Sequence, residues 1–285
     1  MDRLVSTEWL AKELGAPDLR IVDCTVKFEV NDAGLQIDSG RAAWEAAHIP
    51  GSCHVDLLRA LSDPATAVPM MCPPPDQFAA AMESVGVGDE CRVVLYDGQM
   101  NAWAARVWWM LRAFGFDRAA VLDGGWRAWS SEGRPVGEGP EAPPPRARFT
   151  PRPRPGLFVG KDRVLGALGD DRVAIINALE RAVYRGDRVD YGRAGHIPGS
   201  LNVPFTELVD RHTHRYLPPA ELREAFGEVL ASGPDRIVTY CGAGVAASSA
   251  AFVLALLGIE DVAVYDGSML EWAADPALPL VTGDD

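Results

Sequence analysis

Short apolar runs along the chain alternate with longer stretches that have a helical pattern. Residues 236–240 form a β-branched and aromatic run that predicts a buried strand, and residues 247–257 form an apolar, small-residue run that predicts a helix closed by Gly258. Helical patterns also cover residues 103–112 and 219–226. The alternation predicts an α/β fold, in which helices cover both faces of a mostly parallel sheet. Ligands of such sheets bind beyond the carboxyl ends of the strands.

The two halves of the chain repeat the same motifs in the same order, which predicts a duplicated domain. The paired segments are 47–52 with 195–200, 94–98 with 238–242, and 121–124 with 264–267. Between the halves, residues 133–155 are too rich in proline and glycine for a helix or a central strand, and they predict an extended surface linker. We expect an N-terminal domain over residues 1–135, a linker over 136–156 and a C-terminal domain over 157–285.

Composition narrows the possible environments and partners. The 285 residues suffice for two domains with cores of their own, and no apolar run reaches the roughly 18 residues that cross a membrane. The first ten residues lack the pattern of a secretory signal. Five cysteines without a Cys-x-x-Cys pair argue against a disulfide framework or zinc ribbon, so we expect a cytoplasmic protein. The formal charge of −13 disfavours nucleic acids and anionic membranes as partners.

Cys241 heads the short loop between the predicted strand and helix described above. Gly242 and Gly244 can adopt positive φ, so the loop can curl with its N–H groups pointing inward, and the helix adds the positive end of its dipole. Such surroundings lower the pKa of a cysteine and make it nucleophilic. The alternative is a buried cysteine that packs as a small apolar side chain.

The segment Cys241-Gly-Ala-Gly-Val-Ala-Ala resembles the active-site loop of the rhodanese-type sulfurtransferases, in particular their mercaptopyruvate branch. Residues 121–129, 195–205 and 265–272 fit the same superfamily. The resemblance extends over nearly the whole chain and implies two tandem rhodanese-like domains, of which the second is catalytic.

The resemblance implies a double displacement at Cys241. The thiolate takes a sulfur atom from a small anionic donor, 3-mercaptopyruvate or thiosulfate, and passes the resulting persulfide sulfur to a thiol, to cyanide or to a reduced thioredoxin-like protein. Neither a metal nor an organic cofactor is needed. Inward main-chain amides would hold the persulfide. These amides belong to Gly242, Ala243, Gly244, Val245 and Ala246.

The substrate-binding residues of the family match less well. Relatives carry two arginines where this chain has Leu179 and Val183. The candidates to bind the donor's acidic group from a shifted register are Arg181, Arg185, Arg188 and Arg193, of which we select Arg181 and Arg185. The alternative is that each of them is an ordinary solvated arginine. The loop after Cys241 also lacks the basic residues of thiosulfate-type relatives, which disfavours the thiosulfate dianion as donor.

The first half has Asp97 where the second half has Cys241. A carboxylate there cannot accept sulfur, so the first domain is predicted to be catalytically silent. Trp103 is a candidate wall of the substrate cleft, with core packing as the alternative. A Cys-x5-Arg phosphatase is disfavoured because Ala247 stands where the arginine is needed. A non-catalytic binding or redox-sensing module remains the alternative function.

Overall fold

The computed structural model describes residues 1–31, 34–142 and 144–284. The chain forms two compact units. The first comprises Met1–Arg154 together with Arg211–Arg215, and the second comprises Pro155–Asp210 and Tyr216–Asp285. Among the described residues, no helix has the length and apolar character needed to cross a membrane.

The first unit is built on a five-stranded parallel sheet with the strand order β1-β7-β6-β2-β5. An antiparallel pair, β3 and β4, stands apart from it. The strands are β1 Leu4–Val5, β2 Leu19–Asp23, β3 Val26–Asn31, β4 Gly34–Ser39, β5 Ser52–His54, β6 Arg92–Tyr96 and β7 Ala119–Leu122. The helices are α1 Thr7–Glu13, α2 Arg41–Ala46, α3 Pro75–Ser84, α4 Ala102–Ala113 and α5 Gly125–Ser131.

The second unit also contains a five-stranded parallel sheet, with the order β10-β9-β11-β12-β8. Its strands are β8 Phe158–Val159, β9 Val173–Asn177, β10 Ser200–Asn202, β11 Arg236–Tyr240 and β12 Val262–Tyr265. Its helices are α6 Lys161–Leu165, α7 Arg181–Arg185, a 3₁₀ turn Phe205–Glu207, α8 Pro219–Ala225, α9 Gly227–Ala231, α10 Val245–Leu256 and α11 Ser268–Trp272.

The two sheets have the same strand order when one of them is read backwards, as a duplicated domain requires. Buried hydrogen bonds repeat as well: the Ser52 and Tyr96 hydroxyls lie 3.0 Å apart, and those of Ser200 and Tyr240 lie 2.9 Å apart. The repeated histidines, His48 and His196, are both fully buried. Each has its ring Nδ1 within 2.8 Å of a main-chain carbonyl, so their role in the fold is structural.

The predicted strand over residues 236–240 is β11, and the predicted helix that follows begins two residues early, at Val245. Gly244 is the reason, because its left-handed backbone (φ 74°) turns the chain directly into α10. The helix consists of small and apolar residues, and nearly all of them are buried against β11 and β12. The loop between β11 and α10 is therefore anchored at both ends in the core of the second unit.

The proline-rich segment over residues 133–155 is extended and is fixed to the first unit. Its described residues form no helix and only an isolated bridge, between Gly137 and His48. Phe149 is buried and stacks edge-on against Phe78, and the Arg152 N–H donates to the carbonyl of Phe114. This part of the predicted linker is thus held by packing and main-chain hydrogen bonds.

Candidate active site

Cys241 directly follows β11, in the centre of the second sheet and at the carboxyl end of its strands. Its side chain is 2% exposed. The neighbouring strand β9 ends at Asn177, which is paired with Tyr240 in the sheet register. The cysteine therefore occupies the edge where parallel sheets bind their ligands.

Main-chain amides surround the loop that Cys241 begins. Val245 and Ala246 belong to the first turn of α10, whose amides have no partner within the helix. Within the described part of the chain, these two amides and those of Gly242 and Ala243 donate to no protein acceptor. The positive end of a twelve-residue helix lies at the same place. The corner can therefore hold an anion at the position of the cysteine sulfur.

Ser268 fixes the backbone of this loop through its hydroxyl group. Its Oγ accepts hydrogen bonds from the amides of Cys241 (3.1 Å) and Gly244 (3.2 Å) and donates to the carbonyl of Tyr265 (2.7 Å). The predicted anion-binding set therefore loses Gly244, whose amide is already engaged. Ser268 is fully buried and has a left-handed backbone (φ 48°), which is strained for a residue with a side chain.

The first turn of α11 fixes the other side of the loop. The Met269 N–H donates to the carbonyl of Cys241, and the Leu270 N–H donates to that of Gly242, each at 3.0 Å. The loop carbonyls of Cys241 and Gly242 are therefore engaged by α11, whereas the amides of Gly242 and Ala243 have no acceptor among the described residues. This arrangement is rigid before any ligand binds, as anion stabilisation requires.

Gly242 is a glycine for a reason different from the one expected from the sequence. Of these two glycines, Gly244 adopts positive φ and Gly242 does not. A Cβ on Gly242 would lie 2.1 Å from the hydroxyl oxygen of Tyr191, so a side chain at this position would force the Tyr191 ring to move. Tyr191 therefore lies directly against the loop. Burial is the main cause of the raised pKa of Tyr191, and the electrostatic interaction with Cys241 adds to it.

The corresponding corner of the first unit contains a carboxyl group in place of the thiol. Asp97 Oδ1 accepts from the amides of Gln99 (2.6 Å) and Asn101 (3.1 Å), and Oδ2 accepts from that of Ala104 (2.9 Å). Burial raises the pKa of Asp97 to about 7, although these amide donors oppose the shift. The loop amides of the first unit are thus occupied by the protein's own side chain.

The candidate substrate arginines lie on the surface of the second unit in ion pairs. Arg181 is 62% exposed and forms a two-pronged pair with Glu207, and Arg185 is 47% exposed and pairs with Asp187 and Asp284. Among the described residues, neither arginine forms a hydrogen bond or an ion pair with the Cys241 loop. Their role as substrate ligands stays a prediction.

Trp103 lies in α4 of the first unit and is 3% exposed. Its ring stacks on Phe28 with 5.4 Å between centroids, and its Nε1 donates to Gln99. Trp103 is itself buried, but Phe28 is 38% exposed, so the ring lies just beneath the surface of the first unit. The role of Trp103 as a wall of the substrate cleft stays a prediction. In the described ranges, no group of three or more histidine, cysteine or acidic side chains is placed to hold a metal ion.

The sequence predicts that residues 266–268 form a turn beside the active loop, but it gives no sign of the contact that Tyr191 makes there. Ser268 follows the repeated Asp-Gly turn, so its position beside the loop was foreseeable, but its three hydrogen bonds were not. Tyr191 is distant from Cys241 along the chain, and no local pattern brings the two together. A search for hydroxyl groups in the stretch before His196 could have drawn attention to it.

Comparisons with known proteins identify the family of this chain. The rhodanese-like domain family matches residues 6–132 and 162–275. A probable 3-mercaptopyruvate sulfurtransferase of Pseudomonas aeruginosa is 34% identical over 99% of both chains, and the 3-mercaptopyruvate sulfurtransferase of Escherichia coli is 33% identical over 97% of this chain and 96% of that one.

The crystal structure of SseA, a 3-mercaptopyruvate sulfotransferase from Escherichia coli, superposes with a TM-score of 0.82 at 32% identity and covers 94% of this chain and 99% of that one. Fold, duplication and sequence similarity extend over almost the entire chain. This chain therefore belongs to the rhodanese family of sulfurtransferases and contains two rhodanese-like domains in tandem.

Proposed function

We propose that this protein transfers a sulfur atom from 3-mercaptopyruvate to a thiol acceptor through a persulfide on Cys241. The main support is the set of unengaged amides of Gly242, Ala243, Val245 and Ala246 around the cysteine. Such a set can stabilise both a resting thiolate and the terminal anion of a persulfide, because both place a negative sulfur near these amides.

Both half-reactions balance without a cofactor. In the first, the Cys241 thiolate attacks the sulfur of 3-mercaptopyruvate, an S–S bond forms, and the C–S bond breaks. Its electron pair passes to the carbon as the enolate of pyruvate, which takes up the former thiol proton. In the second, an acceptor thiol attacks the outer sulfur, leaves as a persulfide, and returns Cys241 to the thiolate.

The neutral loop supports 3-mercaptopyruvate over thiosulfate. Ala243 and Ala246 offer no cation or hydroxyl for a dianion, and the two bacterial relatives above are named for 3-mercaptopyruvate. If Arg181 or Arg185 binds the donor carboxylate, it must exchange an exposed ion pair, which costs about 1 kcal/mol or less.

Cyanide and a reduced thioredoxin-like protein are the further acceptors that we propose, since each supplies the nucleophile that the second half-reaction needs. We propose residues 157–285 as the catalytic domain, residues 136–156 as the linker and residues 1–135 as a silent domain, in which Asp97 fills the sulfur position. A cytoplasmic location fits the five free cysteines, which a reducing compartment preserves.

The test is to treat the purified protein with 3-mercaptopyruvate and to analyse its peptides by mass spectrometry. We expect one added sulfur atom on the Cys241 peptide and one pyruvate released per protein, and neither in Cys241→Ser. The matched control is Cys53→Ser, which removes a half-buried cysteine of the first unit and should leave both readouts unchanged.

Two results would contradict the proposal. Sulfur added to another cysteine would remove Cys241 as the carrier. No pyruvate with 3-mercaptopyruvate and no thiocyanate with thiosulfate and cyanide would indicate the non-catalytic binding or redox module.

A further inference from the structure

The active loop supplies no side-chain hydrogen-bond donor to the sulfur. Residues 242–247 are glycine, alanine or valine. The proton of the nearby Ser268 hydroxyl is already donated to the carbonyl of Tyr265. A side-chain donor to a sulfur anion at Cys241 must therefore come from a segment that faces the loop.

Tyr191 is placed to be that donor. Its hydroxyl oxygen lies 2.1 Å from the position of a Cβ on Gly242, the residue directly after the cysteine. Its ring is partly buried and packs against the core of the second unit, which fixes its direction. In the described part of the chain, the Tyr191 hydroxyl donates to no acceptor, whereas the buried hydroxyls of Tyr184 and Tyr240 are both engaged.

The charges around Tyr191 keep its phenol protonated. Burial is the main cause of its raised pKa, and the negative charges of Cys241 and Asp190 add to it, while Arg188 opposes them. Arg188 is itself paired with Asp190 and Glu180, so its charge is largely compensated. A phenol in these surroundings carries its proton at neutral pH and can donate it in a hydrogen bond.

We propose that the Tyr191 hydroxyl donates a hydrogen bond to the sulfur anion at Cys241, first to the resting thiolate and then to the outer sulfur of the persulfide. This inference rests on the proposed function and adds a residue to it. Tyr191 thereby supplies from a facing segment the hydroxyl that the alanine-containing loop lacks.

The test is Tyr191→Phe, which keeps the ring and removes only the hydroxyl. Iodoacetamide alkylation of Cys241, followed on its own peptide by mass spectrometry across a pH series, reports the thiolate pKa without any sulfur donor. We expect that pKa to rise by about one unit, and the single-turnover rate of persulfide formation at neutral pH to fall about tenfold, because a hydrogen bond to a charged group is lost.

Tyr184→Phe is the matched control. It removes a hydroxyl of the same unit that donates to the carbonyl of Ser200 at 2.6 Å, so it tests the general effect of losing a tyrosine hydrogen bond. An unchanged alkylation profile in Tyr191→Phe, or an equal shift in Tyr184→Phe, would overturn the inference. Failure of the wild-type protein to form a persulfide would instead refute the proposed function, while the alkylation profile would still decide the role of Tyr191.

Discussion

Ser268 and Gly125 occupy corresponding positions in the two halves, and both have a left-handed backbone, with φ of 48° and 50°. In the first half glycine adopts this conformation freely, and a Cβ there would lie 2.3 Å from the Asp97 carbonyl oxygen. In the second half the chain accepts the strain of a serine. Its hydroxyl then binds two amides of the cysteine loop, whereas Gly125 has no side chain that could do so in the first half.

Replacing Ser268 by glycine should separate these two effects. Ser268→Gly relieves the backbone strain but leaves two buried amides without their acceptor, so we expect a loss of about 1–2 kcal/mol in unfolding free energy. Ser268→Ala keeps the strain and should lose about 1 kcal/mol more. Both should slow persulfide formation at least tenfold, as measured by single-turnover kinetics next to urea unfolding. Equal stability of the two variants would show that the left-handed backbone carries no strain.

Gly242 is a second position at which a single residue determines the packing of the active loop. Gly242→Ala places a methyl group against the Tyr191 ring, so we expect a stability loss of about 1–3 kcal/mol and displacement of the ring from the loop. Adding Tyr191→Ala removes the clash but also loses the packing of the ring, so we expect the double variant to lose less stability than the sum of the two single losses and to stay slow. Urea unfolding of the single and double variants measures this, and an additive loss in the double variant would contradict the assigned contact.

The strand-to-helix corner is the element that the sequence predicts best. The apolar run of β11, the small residues of α10 and the glycines between them are all local signals, and the repeated motifs predict that the same element occurs twice. The pattern predicts the start of the helix two residues too late, because Gly244 reads as a loop residue from its sequence but is the N-cap of α10 in the structure. The residues predicted as loop donors, Val245 and Ala246, are therefore first-turn helix amides.

Contacts made across the fold could not be predicted in the same way. Ser268 and Tyr191 reach the cysteine loop from α11 and from the segment after α7, and neither contact leaves a periodic pattern in the sequence. The shifted register proposed for Arg181 and Arg185 depended on side-chain directions that spacing alone does not fix. The structure places both in surface ion pairs.

At the scale of the whole molecule, Asp97 should give stability an unusual pH dependence. Its pKa is about 7 in the folded protein and ordinary in the unfolded chain, so the folded state binds more protons between about pH 4 and 7. This stabilising contribution is full below the unfolded pKa and is lost as the pH rises through 7. We therefore expect the first unit to resist urea better at pH 5.5 than at pH 8.

Tryptophan fluorescence can follow this unfolding, because every tryptophan except Trp272 lies in the first unit. Asp97→Asn should reduce the difference between the two pH values. Arginine-paired carboxylates such as Asp18 and Asp117 have lowered pKa values, so their contributions change only at more acidic pH. If Asp97→Asn keeps the full difference in stability between pH 5.5 and pH 8, another titrating group causes it. Asp23 would be the first group to test, because burial raises its pKa.

The short segment Arg211–Arg215 belongs to the first unit, although it lies in the second half of the chain. Within that unit, the Asn101 side chain donates to the carbonyl of His214 at 2.7 Å, and Arg215 pairs with Glu132. During synthesis on the ribosome, the N-terminal half emerges long before this segment is made. The first unit therefore lacks these contacts until residue 215 has been translated. A messenger truncated at the linker would encode a first unit that cannot form them.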